Sequence, residues 1–364
     1  MVAITAPAGY GKSSLLAEWA STERRNVAWA RLDRFDDEPG ALLHLLATAT
    51  QHVGSGGGLL AAQMRGTSTA LLSRSAPLLA RRWSTADEPF VLFIDDVHLA
   101  ASPECSDALA IVLQGVPAGS QVVIASRELQ PYLARARTEG GVHDITAAGL
   151  RMGVAEAEDV FRREAPSASH EAISAAVERS EGWPAGIFLA ALGATDGAAP
   201  TMSGAGGPIA DYLYRECLAG LPDELRDFLL DTAILDEFSA DLCDAVRQTT
   251  NAQALLDSIA SRGLFLTPID SSRRWYRYHA LFKEFLVGEG ERRDRPRVRA
   301  LHLRAADWFD ARHLTVQCVE HLIAGGDSAR AVAGAARISL AMFQHGEAST
   351  LDRWRRALGE AVVL

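Results

Sequence analysis

Hydrophobic positions in the first 150 residues follow two rhythms. Short unbroken apolar runs read as strands: VAIT at 2–5, NVAWARLD at 26–33, PFVLFIDD at 89–96, SQVVIASR at 120–127 and a weaker VHDIT at 142–146. Between them lie helix-like stretches. These are SSLLAEWAS at 13–21, the segment 39–53 and a third near 68–84. The second opens on Pro39, and its apolar residues recur near every 3.6 positions. SGGG at 55–58 is a flexible break. Continuous apolar strands alternating with helices imply a parallel sheet covered on both faces.

Strand patterns become rare after residue 150. Helical patterns cover 155–165, 170–181 and 185–193. A Gly/Ala/Pro/Ser stretch at 195–208 reads as a linker. Residues 209–290 look like short helices ending in GLFLTPIDSSRRWYRYH, where two apolar or aromatic runs flank DSS. That is the pattern of a β-hairpin, and helices followed by a hairpin suggest a winged helix. From 296 to 364 the pattern is helical throughout, with helices of about 12 residues separated by short turns. It resembles the start of a TPR-like array. The fold expected is an α/β P-loop NTPase domain (1–150), an all-α lid (151–198), a linker (199–208), a winged-helix module (209–290) and the start of TPR-like repeats (296–364). The basic stretch ERRDRPRVRALHLR at 291–304 reads as a solvated linker and helix start.

Composition narrows the class without choosing a function. The chain has 364 residues, 48% hydrophobic and 23% charged, with a net charge of −10. An acidic chain of this kind does not announce nucleic-acid binding. Its four cysteines, Cys105, Cys217, Cys243 and Cys318, form no CxxC pair, so reduced thiols are expected. The longest apolar run, 185–194, is well short of the roughly 18–20 residues that a spanning helix needs. No signal-peptide pattern is visible. A cytoplasmic protein that does not engage a membrane is expected.

The chemistry is concentrated in TAPAGYGKSS at 5–14. A phosphate loop needs backbone N–H groups turned inward, which glycines at positive φ allow. Gly9 and Gly11 occupy the tight part of the loop, followed by Lys12, Ser13 and Ser14. Ala6 stands where the strict pattern has glycine. A small residue suffices there if its φ is negative. Ala8, Gly9, Gly11, Lys12, Ser13 and Ser14 are the expected phosphate-binding residues. Lys12 would reach the β and γ phosphates, and Ser13 would place its hydroxyl on Mg²⁺. The acid pair ending VLFIDD follows about 80 residues later. Asp95 would hold Mg²⁺ through water, and Asp96 would orient or deprotonate an attacking water. Ser126 and Arg127 end the next strand, where a polar side chain can sense the γ-phosphate and Arg127 can offset its charge.

These residues and their surroundings resemble the large ATP-dependent regulators of the LuxR class typified by the maltose-regulon activator, within the signal-transduction (STAND) ATPases. TAPAGYGKSSLLAEWA is similar to the family's P-loop, LFIDDVHL with His98 to its Walker B strand, and VVIASR to its sensor strand. SEGWPAGIFLAAL at 180–192 resembles its lid motif, and GLFLTPID…WYRYHALFKEFL its winged-helix end. The resemblance implies an ATP/ADP switch. ADP is held in a closed monomer; an inducer and ATP favour a form that self-associates; slow ATP hydrolysis resets it. It also implies that Pro184 touches the adenine side and that His279 reaches the ADP β-phosphate. Family members carry a segment before the P-loop, longer repeats and a C-terminal helix-turn-helix that reads DNA. None of these is seen in this sequence, so DNA contact is expected only through a domain absent from it. Other readings are a small-molecule or nucleotide kinase, a scaffold without turnover, and a piece of a Ser/Thr-kinase-fused regulator. No arginine-rich acceptor lid follows the core, which argues against the first. The chain has no HRD or DFG motif and so is not itself a protein kinase.

Overall fold

The computed structural model describes residues 1–51, 71–194, 204, 206–344 and 347–359. The break at 55–58, part of the helix expected at 68–84 and most of the linker at 195–208 lie outside these residues. The described chain divides into two compact units. The first comprises 1–159 with 182–188 and 261–263; the second comprises 160–181, 189–260 and 264–364.

The first unit is built on a five-stranded parallel sheet. Its strands are β1 (Val2–Thr5), β2 (Asn26–Arg31), β3 (Phe90–Asp95), β4 (Gln121–Ser126) and β5 (His143–Thr146), in the spatial order β2-β3-β4-β1-β5. Its helices include α1 (Lys12–Thr22), α2 (Pro39–Ala49), α3 (Ala76–Ser84) and α4 (Pro103–Leu113). The apolar strands have no polar face because both faces are covered. Along β3, Phe90, Leu92 and Ile94 join one core with Leu42, Leu46, Trp83 and Leu109. Val91 and Phe93 point the other way, into a core with Ile4, Leu16, Trp19 and Trp29. Side chains of a strand alternate between its faces, so one continuous run fills two cores. The parallel register pairs Thr5 with Ser126 and Arg31 with Asp95. The polar ends of β1, β3 and β4 therefore lie on one edge, where open α/β sheets place their ligands.

Among the described residues, the second unit is helical apart from one hairpin. Its helices include α5 (Asp223–Thr232), α6 (Ala240–Arg247) and α7 (Ala252–Ser261). The expected wing is present as β6 (Leu266–Pro268) and β7 (Tyr276–Tyr278), antiparallel. Phe238 adds a bridge to Tyr276. The Tyr278 ring packs tilted against Phe238 and edge-to-face against Phe282, and its hydroxyl lies 2.8 Å from that of Thr232. Buried Asp231 accepts hydrogen bonds from Arg247 and Arg297. Four helical segments follow, ending with α8 (Thr315–Gly325), α9 (Ser328–Gln344) and α10 (Ala348–Leu358). Val319, Ala335, Met342 and Trp354 form their shared core.

Two expectations need correction. The helix that follows the wing is not succeeded by an extended linker at 291–295: helical structure runs from Ala280 to Asp310 as two helices that meet at a kink. It holds one non-helical residue, Asp294, at φ −156° and ψ 79°. Asp294 accepts a hydrogen bond from the Arg297 N–H at 3.0 Å, as an N-cap does. Pro296 thus falls in the first turn of a new helix, where its missing N–H costs nothing. In addition, Gly207 and Pro208 belong to a helix, Gly207–Leu213, not to the linker.

His302 and His321, facing each other in this helical array, have their Nδ1 atoms 2.8 Å apart. Burial lowers His302 from an ordinary 6.5 to about 4, with Lys283 adding to the shift. Burial likewise lowers His321 to about 3, with His302 adding to it. Both folded-state values lie below the unfolded value, so the unfolded chain takes up protons first as the pH falls. Stability present at neutral pH is therefore lost from about pH 6.5 down through pH 4 toward pH 3. Denaturant unfolding at pH 5 is expected to show a loss on the order of 2 kcal/mol or more relative to pH 7. Replacing both rings with glutamine should flatten that part of the profile.

Candidate functional site

The phosphate-type loop joins β1 to α1. Gly9 and Gly11 have φ of 75° and 73°. Ala6 is buried, is absent from the positive-φ residues, and its N–H donates to the Ser126 carbonyl at 3.2 Å. Ala6 thus extends the β1–β4 ladder, and a glycine is not required there. The helix begins at Lys12, one residue earlier than the apolar pattern suggests. Ser13 and Ser14 are exposed on its first turn.

The loop's carbonyls are engaged from several directions. Lys12 is buried, and its Nζ donates to the carbonyls of Ala6 at 2.8 Å and Pro7 at 3.0 Å. Trp183, fully buried, donates its indole N–H to the Ala8 carbonyl at 3.0 Å. The Ala185 N–H donates to the Gly9 carbonyl at 3.0 Å, and the Leu15 N–H to that of Gly11 at 2.9 Å. Trp183 and Ala185 flank Pro184, which is buried and opens a helix, Pro184–Gly193. Gly182 just before them has φ 74°, and its carbonyl accepts from the Met152 N–H at 2.9 Å.

Asp95 ends β3 and is 1% exposed. Its Oδ1 accepts the Asp96 N–H at 2.9 Å, whereas its buried Oδ2 has no hydrogen-bond partner. A buried carboxylate oxygen without a donor fits a hydrated hard cation. Asp96 adopts a left-handed conformation, φ 56°, and accepts from Arg31 Nε at 3.2 Å. Ser126 Oγ is buried and accepts from the Glu128 N–H and from Gln130. His98 sits in a short turn after Asp96. Burial, then the positive charges of Arg127 and Lys12, hold it down to about 4, and Asp96 opposes them. Lys12, Asp96 and Arg127 are therefore all within electrostatic reach of His98.

The structure brings Ala8, Gly9, Gly11, Lys12, Ser13, Asp95, Asp96 and Arg127 together at one sheet edge. Pro184 joins them through its neighbours' bonds to the loop. His279 lies in the second unit, buried. Its Nε2 is 2.8 Å from the Ser180 carbonyl, and its N–H donates to the Phe265 carbonyl at 2.9 Å. Beside it, Glu181 accepts two hydrogen bonds from Arg277 at 2.9 Å and one from the Ala280 N–H. The Arg277 bonds hold the Glu181 carboxyl down at about 2. Sequence reasoning gave no role to Trp183 or Ala185 and none of its own to His98. The only local signals were the GWP triplet and the spacing of DDVH.

The sheet order, the glycine loop on β1 and the acids on β3 define the P-loop ATPase fold, here followed by helices and a winged helix. Comparisons agree. Residues 214–298 match the MalT winged helix domain. Over 369 residues, 98% of this chain, the sequence is 28% identical to the HTH-type transcriptional regulator MalT of Klebsiella pneumoniae. Over 357 residues, 91% of this chain, it is 31% identical to the serine/threonine-protein kinase PknK of Mycobacterium tuberculosis. A Walker-type ATPase of Pyrococcus abyssi aligns with 78% of this chain and 90% of its own, with a TM-score of 0.56 and 15% identity, and so shares the fold. The chain is thus similar to MalT along nearly its whole length. It spans 41% of that MalT and 31% of that PknK. No helix among the described residues is long and apolar enough to cross a membrane.

Gly182 tests how firmly its segment is seated. A Cβ there would stand 2.9 Å from the Met152 carbonyl oxygen, at a φ that side chains avoid. Gly182→Ala is expected to cost about 1–3 kcal/mol, read as a lower midpoint in denaturant unfolding.

Proposed function

We propose that this chain is the nucleotide-gated ATPase core of a MalT-like regulator, binding ATP and ADP with Mg²⁺ and hydrolysing ATP slowly to reset a switch. The observation that carries this reading is the single sheet edge holding the glycine loop, buried Lys12 and the orphaned oxygen of Asp95. Gly9, Gly11 and the first turn of α1 cradle the phosphates with backbone N–H groups, helped by the positive end of the helix. Lys12 turns from its loop carbonyls to the β and γ phosphates. Ser13 and Asp95 are the residues that would hold the cation, and a bound Mg²⁺ would supply charge neutralisation on the phosphates. Asp96 orients the attacking water, with Arg31 fixing its carboxylate. Arg127 offsets charge on the γ-phosphate. Pro184 is proposed on the adenine side and His279 as a contact from the winged-helix module, both by the resemblance.

A switch needs a nucleotide that interacts differently with two states of the protein. The proposed states are an ADP-bound monomer and an ATP-bound form, favoured by an inducer, that self-associates. DNA would be read by another domain of the whole protein. The likeness to PknK supports a second reading, in which the same core serves a kinase-fused regulator. The chemistry of the core is the same in both.

Lys12→Ala is expected to abolish ATP and ADP binding in calorimetry, and unchanged binding would remove the site. Asp96→Ala should keep nucleotide affinity within about threefold while phosphate release falls at least about a hundredfold, the scale of losing a positioned base.

A further inference from the structure

Resting on the nucleotide reading above, we infer that the indole N–H of Trp183 and the backbone N–H of Ala185 are positioning groups of the phosphate cradle. A trans peptide carries its C=O and the following N–H on opposite sides of one plane. Trp183 holds the Ala8 carbonyl, so it sets the plane that aims the Gly9 N–H. Ala185 holds the Gly9 carbonyl, so it sets the plane that aims the Tyr10 N–H. Both carbonyls are thereby kept out of a cradle in which they would repel an anion. Glycine at φ 75° offers little resistance to rotating these planes, so the fixed orientation has to come from outside the loop.

The donors suit this task. Trp183 is fully buried in the same compact unit as the loop, so its N–H meets no competing water. Ala185 lies in the first turn of its helix, where N–H groups have no partner within the helix and are available to an outside acceptor. The two donors are two residues apart and grip consecutive carbonyls. Binding of phosphate and seating of residues 182–188 are consequently linked in both directions: whatever loosens this segment weakens the cradle, and an anion in the cradle steadies the segment. The phosphate site so extends to a segment about 175 residues away in sequence.

The test uses the full chain, ADP calorimetry and amide hydrogen exchange of the loop. Trp183→Phe keeps an aromatic ring and removes the donor. Ala185→Pro removes the other donor at a helix position that tolerates proline. Each is expected to weaken ADP about tenfold, the scale of one buried hydrogen bond, and to reduce the protection that ADP confers on the Gly9 and Tyr10 amides. Should Trp183→Phe fail to fold, the Ala185→Pro result decides. Wild-type affinity in the variants overturns the inference, and so does weaker binding with wild-type protection of those amides, which would mark a packing effect. Lys12→Ala is the control. If it too binds ADP normally, the nucleotide reading itself fails; if it does not bind and the other variants do, only this inference fails.

Discussion

A loop that turns its N–H groups toward an anion must hand its carbonyls to other donors, and this constraint organises the first unit. The carbonyls of Ala6 and Pro7 go to Lys12, and that of Gly11 to the helix that follows. Those of Ala8 and Gly9 go to Trp183 and Ala185. The sheet supplies the rigid end of the loop: Ala6 is still bonded to Ser126 on β4. Asp95 and Arg127 stand at the same edge because parallel strands bring their C-terminal ends together. The site follows from the sheet's register and from donors recruited to a glycine turn.

The electrostatics reinforce that geometry. Asp95 keeps one buried oxygen without a donor, which costs free energy unless a cation or its water shell supplies the missing contact. His98 beside it is held neutral chiefly by burial, so it adds no charge to a site that already holds Lys12 and Arg127. Asp96, in a left-handed conformation that few residues tolerate, is held by Arg31 from the neighbouring strand. These features concentrate at the end of β3, while its middle is uniformly apolar. Stability and chemistry are thereby separated along a single strand.

Much of this was legible in the sequence for physical reasons. Apolar runs such as FVLFID have to be strands buried on both faces, and GYGK offers a turn that few residues other than glycine can make. The winged hairpin was legible from the aromatic run around Tyr276 and Tyr278. Less accessible was anything set by distant pairing. Trp183 reaches Ala8 through tertiary packing, and no local period encodes that contact. At 291–304, read as linker and helix start, a helix does start, with Asp294 as its cap and Pro296 in its first turn, but the expected linker shrinks to the kink at Asp294. Aspartate two residues before proline was the signal available there. Ala6 was the converse case, a departure from the motif at a position where strand pairing sets the backbone and positive φ is not needed.

The short stretch from Ser180 to Ala185 shows how tertiary bonds hold a locally unfavourable backbone. Ser180 and Glu181 are bonded within the second unit, to His279, Arg277 and Ala280. Trp183 and Ala185 are bonded within the first, to the phosphate loop. Between these attachments the chain passes through two consecutive left-handed residues, Glu181 and Gly182. Glu181 holds a backbone conformation that residues other than glycine rarely adopt, and the bonds of its carboxylate to Arg277 and to the Ala280 N–H are contacts that offset this cost within the second unit.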